Sequence, residues 1–306
     1  MSKKILFMGT PDYATTIFKE LINSKYEIVG LFTQPDKPVG RKQILTAPHI
    51  KQYCIDENIN FPIFQPLKLK NNDEAVKQIK ELKPDFIIVA AYGQILPKEI
   101  LDIAPCINLH ASLLPKYRGA SPIQESLLND DIYTGVTSML MEEGLDSGDI
   151  LGLQYLRITS TMEVSEAFEK LSLIAAKLTI TTLDNFENIK PIKQNESQVS
   201  FCKKIKKEDG LIDFIDAKKL YLKYKAYSYW PGIFLESELK IKDIELNDEK
   251  SINNQGQILE INSDFIIVGC EKGSLKIKTL QAPSKKAMNA IDYIRGQRLE
   301  INSILI

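Results

Sequence analysis

The sequence predicts an α/β fold, a doubly wound and mostly parallel sheet, followed by a small C-terminal β-barrel. Three observations predict it. Short apolar β-type runs alternate with helical stretches as far as residue 186, the rhythm of βαβ units joined by right-handed crossovers. The run Phe86-Ile87-Ile88-Val89-Ala90-Ala91 is unbroken, as a strand buried on both faces requires. Beyond residue 188 the helical rhythm gives way to short strand-like runs, evenly spaced and separated by turn residues.

Taken in order, residues 4–8 read as a strand ending at Gly9-Thr10-Pro11-Asp12, with Asp12 as N-cap of a helix over 13–23. A second strand spans 26–33. Gln34-Pro35-Asp36-Lys37-Pro38-Val39-Gly40-Arg41-Lys42 is a turn-rich basic loop before a helix at 48–58. Residues 72–82 are helical and 86–91 form the buried strand. Strands at 107–109, 135–141 and 150–158 follow, then a long amphipathic helix at 164–186. Lys190-Pro191-Ile192-Lys193-Gln194-Asn195-Glu196-Ser197 is polar and carries a proline, as linkers do. Domains are therefore expected at 1–188 and 207–306, with a linker at 189–206. In the second, a helix over 216–227 precedes strands at 233–236, 239–246, 257–261, 265–268 and 275–280.

A length of 306 residues suits this two-domain plan. Lys+Arg 39 against Asp+Glu 40 gives a formal net charge of -1, without the overall basic character of most nucleic-acid binders. Cys54, Cys106, Cys202 and Cys270 are scattered and form no metal-ligand spacing, so no metal is expected and the thiols read as buried and reduced. No apolar stretch approaches roughly 18 residues, and the N-terminal one stops at Gly9. A soluble, cytoplasmic chain is expected. The first βα turn has Pro11 and Tyr13 where a dinucleotide fingerprint needs small residues, and no phosphate-loop pattern occurs, which argues against standard NAD and ATP sites.

The chemistry-bearing residues lie elsewhere. His110, one of two histidines, sits in Cys106-Ile107-Asn108-Leu109-His110-Ala111-Ser112-Leu113-Leu114-Pro115. On a strand, residues two apart share a side, so Asn108 and His110 project together at its carboxyl end, where open α/β sheets place ligands. Further on, Met141-Glu142-Glu143-Gly144-Leu145-Asp146-Ser147-Gly148-Asp149 brackets Asp146 with glycines, a loop suited to presenting a carboxylate. An amide can donate to a developing oxyanion, an imidazole can move protons near neutrality, and a carboxylate can orient it. The residues alone favour a satisfied structural histidine and a turn-forming or capping aspartate over a catalytic pair.

Asn108-Leu109-His110-Ala111-Ser112-Leu113-Leu114-Pro115 followed by Gly144-Leu145-Asp146-Ser147-Gly148-Asp149 resembles the paired motif of the 10-formyltetrahydrofolate-dependent formyltransferases. The resemblance implies a Rossmann-like catalytic domain and an OB-like barrel. It also implies catalysis by Asn108, His110 and Asp146, with 10-formyltetrahydrofolate as formyl donor and no metal. The folate is then expected against Val89, Tyr92, Gly93, Ile95, Leu96, Ser112, Leu113, Leu114, Pro115, Glu142, Gly144 and Leu145, mostly through backbone groups, with Ile95, Leu96 and Leu109 as apolar walls.

Further segments resemble the branch of that family that formylates methionyl-tRNA: Phe7–Ala14, Phe32–Asp36, Ala91–Pro97, Ala226–Gly232 and Gln281–Met288. Members acting on glycinamide ribonucleotide lack a second domain; those acting on nucleotide sugars can carry one and are the competing reading. The resemblance implies the α-amine of initiator methionyl-tRNA as acceptor, for translation initiation, with no membrane partner and a monomeric enzyme. The loop 37–45 would enter the acceptor arm through Arg41, supported by Lys37 and Lys42. Arg offers planar bidentate donors and Lys a point charge to phosphates. Gln43 and Ile44 make this loop less basic than the fullest family examples. Lys206, Lys207, Lys285 and Lys286 in the second half of the chain would add phosphate contacts, and Lys218, Lys219, Lys223 and Lys225 could form a basic helical stripe. Trp230 reads as packing, or as a base-stacking platform.

Overall fold

This computed structural model describes residues 2–40 and 42–305. In chain order they form β1 (Lys4–Gly9), α1 (Asp12–Ile22), β2 (Glu27–Phe32), β3 (Lys37–Val39), β4 (Ile44–Thr46), α2 (His49–Asp56), β5 (Ile63–Phe64), α3 (Asp73–Leu82), β6 (Phe86–Ala90), α4 (Lys98–Leu101) and β7 (Cys106–His110). β8 (Arg118–Gly119), α5 (Pro122–Leu128), β9 (Tyr133–Leu140), β10 (Ile150–Arg157), α6 (Val164–Asn185) and β11 (Phe201–Cys202) follow. The remainder is α7 (Ala217–Tyr227), β12 (Ile233–Phe234), β13 (Lys240–Asp248), β14 (Ile258–Ile261), β15 (Ile266–Gly269), β16 (Ser274–Gln281), β17 (Met288–Asn289) and α8 (Ala290–Gln297).

Contacts divide the chain into two units. The first holds the residues up to Pro122, Tyr133–Arg157 and Phe168–Cys202; the second holds Ile123–Ile132, Ile158–Ala167 and the chain from Lys203 on. Seven strands of the first unit form a sheet in the order β10-β9-β7-β6-β1-β2-β5. β5, β2, β1, β6 and β7 run parallel, while β9 is antiparallel to both β7 and β10. The five residues of β6 are all buried, which accounts for its unbroken apolar run. From β1 the chain steps outward to β2 and β5, then returns to the other side of β1 for β6 and β7. That reversal opens a crevice outside the carboxyl ends of β1 and β6, the usual ligand position of an open α/β sheet.

The elements depart from the sequence reading in several places, among them the unexpected short elements β5, α4, β8 and α5. α1 includes Asp12 and is preceded by Pro11 in the cap position, so Asp12 is not the N-cap; its Oδ1 accepts from the Tyr13 N–H at 2.9 Å. The basic loop contains an antiparallel hairpin, β3 with β4, in which Lys37 faces Thr46 and Val39 faces Ile44. Gly40, at φ +70°, supplies the left-handed turn residue. The stretch read as a linker is bonded into the first unit as far as Cys202: Ile192 bridges Ile150, and β11 pairs with β8. Finally, α8 carries only a short apolar stripe, Ala290, Ile291 and Ile294, and was not expected as a helix.

The sheet of the second unit is antiparallel, β12-β13-β16-β15-β14 with β17 on β16. Ile241, Ile244, Ile266, Val268, Leu275, Ile277 and Leu280 alternate inward and meet Leu220 of α7 and Ile291 and Ile294 of α8 in one apolar core. The Asp216 carboxylate caps α7 by accepting from the Lys219 N–H at 3.1 Å.

Candidate active site

β7 presents Asn108 and His110 on the same side, and the loop after β9 folds back over that face. Asp146 takes the left-handed conformation there, at φ 49°. Its Oδ1 accepts from Asn108 Nδ2 at 3.4 Å, and its Oδ2 lies 3.7 Å from His110 Nδ1. The same Oδ2 accepts from the backbone N–H of Gly119 at 2.9 Å. The His110 and Asp146 side chains are only 7% and 13% exposed, so water screens the pair poorly. On the far side of the ring, His110 Nε2 lies 2.9 Å from the Tyr117 carbonyl. A carbonyl only accepts, so Nε2 carries the N–H, and Nδ1 is the nitrogen turned to the carboxylate. Tyr13 steadies the strand, its hydroxyl donating to the Leu109 carbonyl at 3.2 Å. Burial pushes that phenol's pKa up and keeps its proton in place.

The Asp146 loop is closed at its base by Leu140 N–H donating to Asp149 carbonyl at 2.8 Å, and across its tip by Ser147 Oγ donating to Glu142 Oε1 at 2.6 Å. A side chain crosses to it from the strap 189–202: Gln194 Nε2 donates to the carbonyls of both Asp146 and Gly148, each at 2.8 Å. Gln194, Arg118, Tyr117 and Gly119 were missed in the sequence. Their one visible trace is the position of Tyr117-Arg118-Gly119 just beyond the Asn-x-His motif.

The residues expected to meet folate separate into two groups. Ile95 (77% exposed) and Leu145 (54% exposed) stand open, as do Gly93, Glu142 and Gly144. Val89, Tyr92, Leu96, Ser112 and Leu114 are buried, and Leu113 and Pro115 are half-buried. Leu96 and Leu109, expected as apolar walls, are 2% and 1% exposed and pack in the core. Ser112 is likewise occupied, its hydroxyl donating to the Lys116 carbonyl at 2.6 Å. Open apolar side chains and uncovered backbone do suit a flat heterocycle edged with amide-like groups. A Cβ added at Gly93, φ +81°, would meet only Gln34 Nε2, at 3.9 Å. β6 pairs with β7 through Val89 and Asn108, so the 91–97 segment leaves the sheet beside the Asn-x-His face.

Of the residues expected to meet tRNA, Lys37 and Lys42 are exposed at the β3–β4 hairpin, whose Val39, Ile44 and Leu45 are also exposed. Arg41 lies outside the described residues. Lys206, Lys207, Lys285 and Lys286 are exposed. The basic stripe on α7 is corrected. Lys225 is 3% exposed and donates to the Ser160 carbonyl, Lys218 pairs with Asp130 at 2.8 Å, and Lys223 donates to the Leu211 carbonyl at 2.6 Å. Trp230 is 48% exposed and Tyr229 is 85% exposed.

The family description Formyl transferase matches residues 3–183, and Formyl transferase, C-terminal domain, matches residues 204–298. This chain belongs to the formyl transferase family. A methionyl-tRNA formyltransferase of a Nitratiruptor species is 58% identical to it over 298 residues, covering 97% of this chain and 98% of that protein. One from Campylobacter lari is 55% identical over 303 residues, covering 99% of each. Among solved structures, the N-formyltransferase of Helicobacter canadensis in complex with folinic acid and dTDP-3-aminofucose shares the fold of this formyl transferase. Its TM-score is 0.68 at 15% identity, over 91% of this chain and 99% of that one. HypX from Aquifex aeolicus in complex with tetrahydrofolic acid gives a TM-score of 0.65 at 16% identity over 96% of this chain. The present chain spans 47% of that HypX chain. Among the described residues no helix is long and apolar enough to cross a membrane.

Proposed function

We propose that this chain transfers the formyl group of 10-formyltetrahydrofolate to the α-amine of initiator methionyl-tRNA, giving formylmethionyl-tRNA for translation initiation. The observation that carries the reading is the convergence of Asn108, His110 and Asp146 on one face of β7, beside the reversal in strand order. The methionyl-tRNA formyltransferases that match almost end to end support the choice of acceptor.

The folate supplies an activated formyl carbon and a nitrogen leaving group; the protein supplies charge and proton handling. Asn108 spends one amide N–H on Asp146 and keeps the second for the negative charge that develops on the formyl oxygen. A preorganised donor of this kind is typically worth about 3 kcal/mol. His110, with Nε2 committed to Tyr117, uses Nδ1 to take the proton released by the attacking amine and return it to the departing nitrogen. Asp146 stabilises the imidazolium in between. Ile95, Leu145 and the exposed backbone at Ala91, Gly93 and 142–145 hold the pterin. Lys37, Arg41, Lys42, Lys206, Lys207, Lys285 and Lys286 contact the tRNA backbone.

The deciding experiment offers the protein 10-formyltetrahydrofolate with either methionyl-tRNA or a nucleotide-linked amino sugar. Formylation of the aminoacyl amine at least about a hundredfold faster is expected, since a site built around one acceptor leaves buried groups unpaired with another. Preferential formylation of the sugar amine would overturn the assignment of acceptor.

A further inference from the structure

The site's carboxylate is held from a part of the chain that carries none of the catalytic trio. Gln194 is 8% exposed and Arg118 is 5% exposed. The Gln194 amide nitrogen donates to the carbonyls of Asp146 and Gly148, so both of its N–H groups are spent on the loop. Its carbonyl oxygen accepts from Arg118 Nε at 3.0 Å. Arg118 in turn sends a terminal nitrogen to Glu196 Oε1, 2.8 Å away. The next residue, Gly119, donates its N–H to the Asp146 carboxylate itself. Asp146 is thus gripped twice, at its carbonyl through Gln194 and at its side chain through Gly119, and Arg118 ties the two grips into one piece.

We infer that Gln194, oriented by Arg118, is a positioning residue for the formyl-transfer step: it fixes the left-handed Asp146 so that its carboxylate faces His110 Nδ1. The inference rests on the catalytic reading of Asp146 given above. Two features separate this pair from ordinary packing. An amide bridging two carbonyls of a single loop defines the loop's conformation, which an apolar contact of equal volume does not. A buried guanidinium with an acceptor on Nε and a carboxylate on a terminal nitrogen also has its planar fork fixed in direction, so it transmits orientation to Gln194.

The test uses the full-length protein, 10-formyltetrahydrofolate and methionyl-tRNA under single-turnover conditions. Gln194→Met keeps the side-chain length and removes both donors. The rate should fall about 10–100-fold, the range seen when groups orienting a catalytic ligand are removed, while KM for both substrates stays within about threefold. Combined with Asp146→Asn, it should slow the reaction no further than Asp146→Asn alone, because the grip has no effect once the carboxylate is gone. Arg118→Lys, which retains the charge facing Glu196 but loses the Nε donor, should show the same pattern at smaller amplitude and serves if Gln194→Met fails to fold. A Gln194→Met rate within threefold of the parent, or a loss that simply multiplies with that of Asp146→Asn, would overturn the inference and leave the site standing. Near-parent activity of Asp146→Asn would instead overturn the catalytic reading beneath it.

Discussion

Gly119→Ala is the smallest change that tests whether the site depends on backbone as well as side chains. At β8 and the residue after it, the N–H groups of Arg118 and Ala120 point toward the strap, to the carbonyls of Ser200 and Cys202 at 2.9 and 3.4 Å. Alternation along the strand turns the Gly119 N–H the other way, onto Asp146 Oδ2 at 2.9 Å. Gly119 adopts φ +123°, and an added Cβ would sit well under 3.0 Å from the Cys202 carbonyl oxygen. Both strain and clash follow. A side-chain-bearing residue held in such a region costs about 1–3 kcal/mol, and a hydrogen bond to a charged group is worth about 1.5–3 kcal/mol. Relief requires β8 to part from β11 by on the order of half an ångström, which carries the N–H off the carboxylate. The expected total is about 2.5–6 kcal/mol of stability, a fall in Tm of about 4–9 °C, and a single-turnover rate lower by about 10–100-fold. Differential scanning calorimetry and rapid-quench formylation of methionyl-tRNA measure the two. An alanine variant with the parent's Tm and the parent's rate would show that neither the close approach nor the Gly119 grip matters.

Replacing Lys37, Arg41 and Lys42 together by alanine should raise KM for methionyl-tRNA about tenfold or more and leave the folate KM unchanged. It should also reduce the slope of log K against log salt by about 2–3, close to one for each phosphate no longer neutralised; an unchanged slope would detach the hairpin from the nucleic acid. Burial raises the thiol pKa from 9.0 to about 11 at Cys54 and to about 12 at Cys106 and Cys270. A thiol whose folded pKa stands above its unfolded one holds its proton in the fold. Its contribution is complete below pH 9 and drains away as pH climbs through 9 to 12. Urea midpoints should accordingly decline over that window, and a disulfide reagent at about pH 8 should label these three cysteines only in urea. Rapid labelling of the native protein would contradict the burial.

Local chemistry made most of the fold readable in advance. β6 is legible because five buried apolar residues leave no helical alternative of sufficient length, and α3 because Asn72 caps it, accepting from the Ala75 N–H at 3.0 Å. The hairpin β3–β4 was hidden by Pro38 and by strands of three residues, too short to show a period of two. α8 was hidden in the same way, by an apolar stripe of three residues. The α7 lysines failed for another reason. Spacing says which residues share a face but not what packs against it, and here Asp130, Leu211 and Ser160 take three of the four supposed phosphate ligands.

The same distinction explains the site. Asn108 and His110 are two apart on one strand, so their shared direction follows from local geometry. Asp146 joins them only through tertiary structure, and resemblance to a known motif had to supply what spacing could not. Gln194 shows the limit most clearly. It lies in a polar, proline-bearing stretch whose composition is that of a linker, yet its amide makes two hydrogen bonds to the loop that presents the carboxylate. Composition measures how much apolar surface a segment can bury, and a segment held by hydrogen bonds from buried polar groups buries little. A polar strap can therefore be as fixed as a strand and still read as flexible. Short polar stretches that follow a catalytic domain merit inspection for amides and guanidinium groups aimed back at the catalytic loops before they are set aside as connectors.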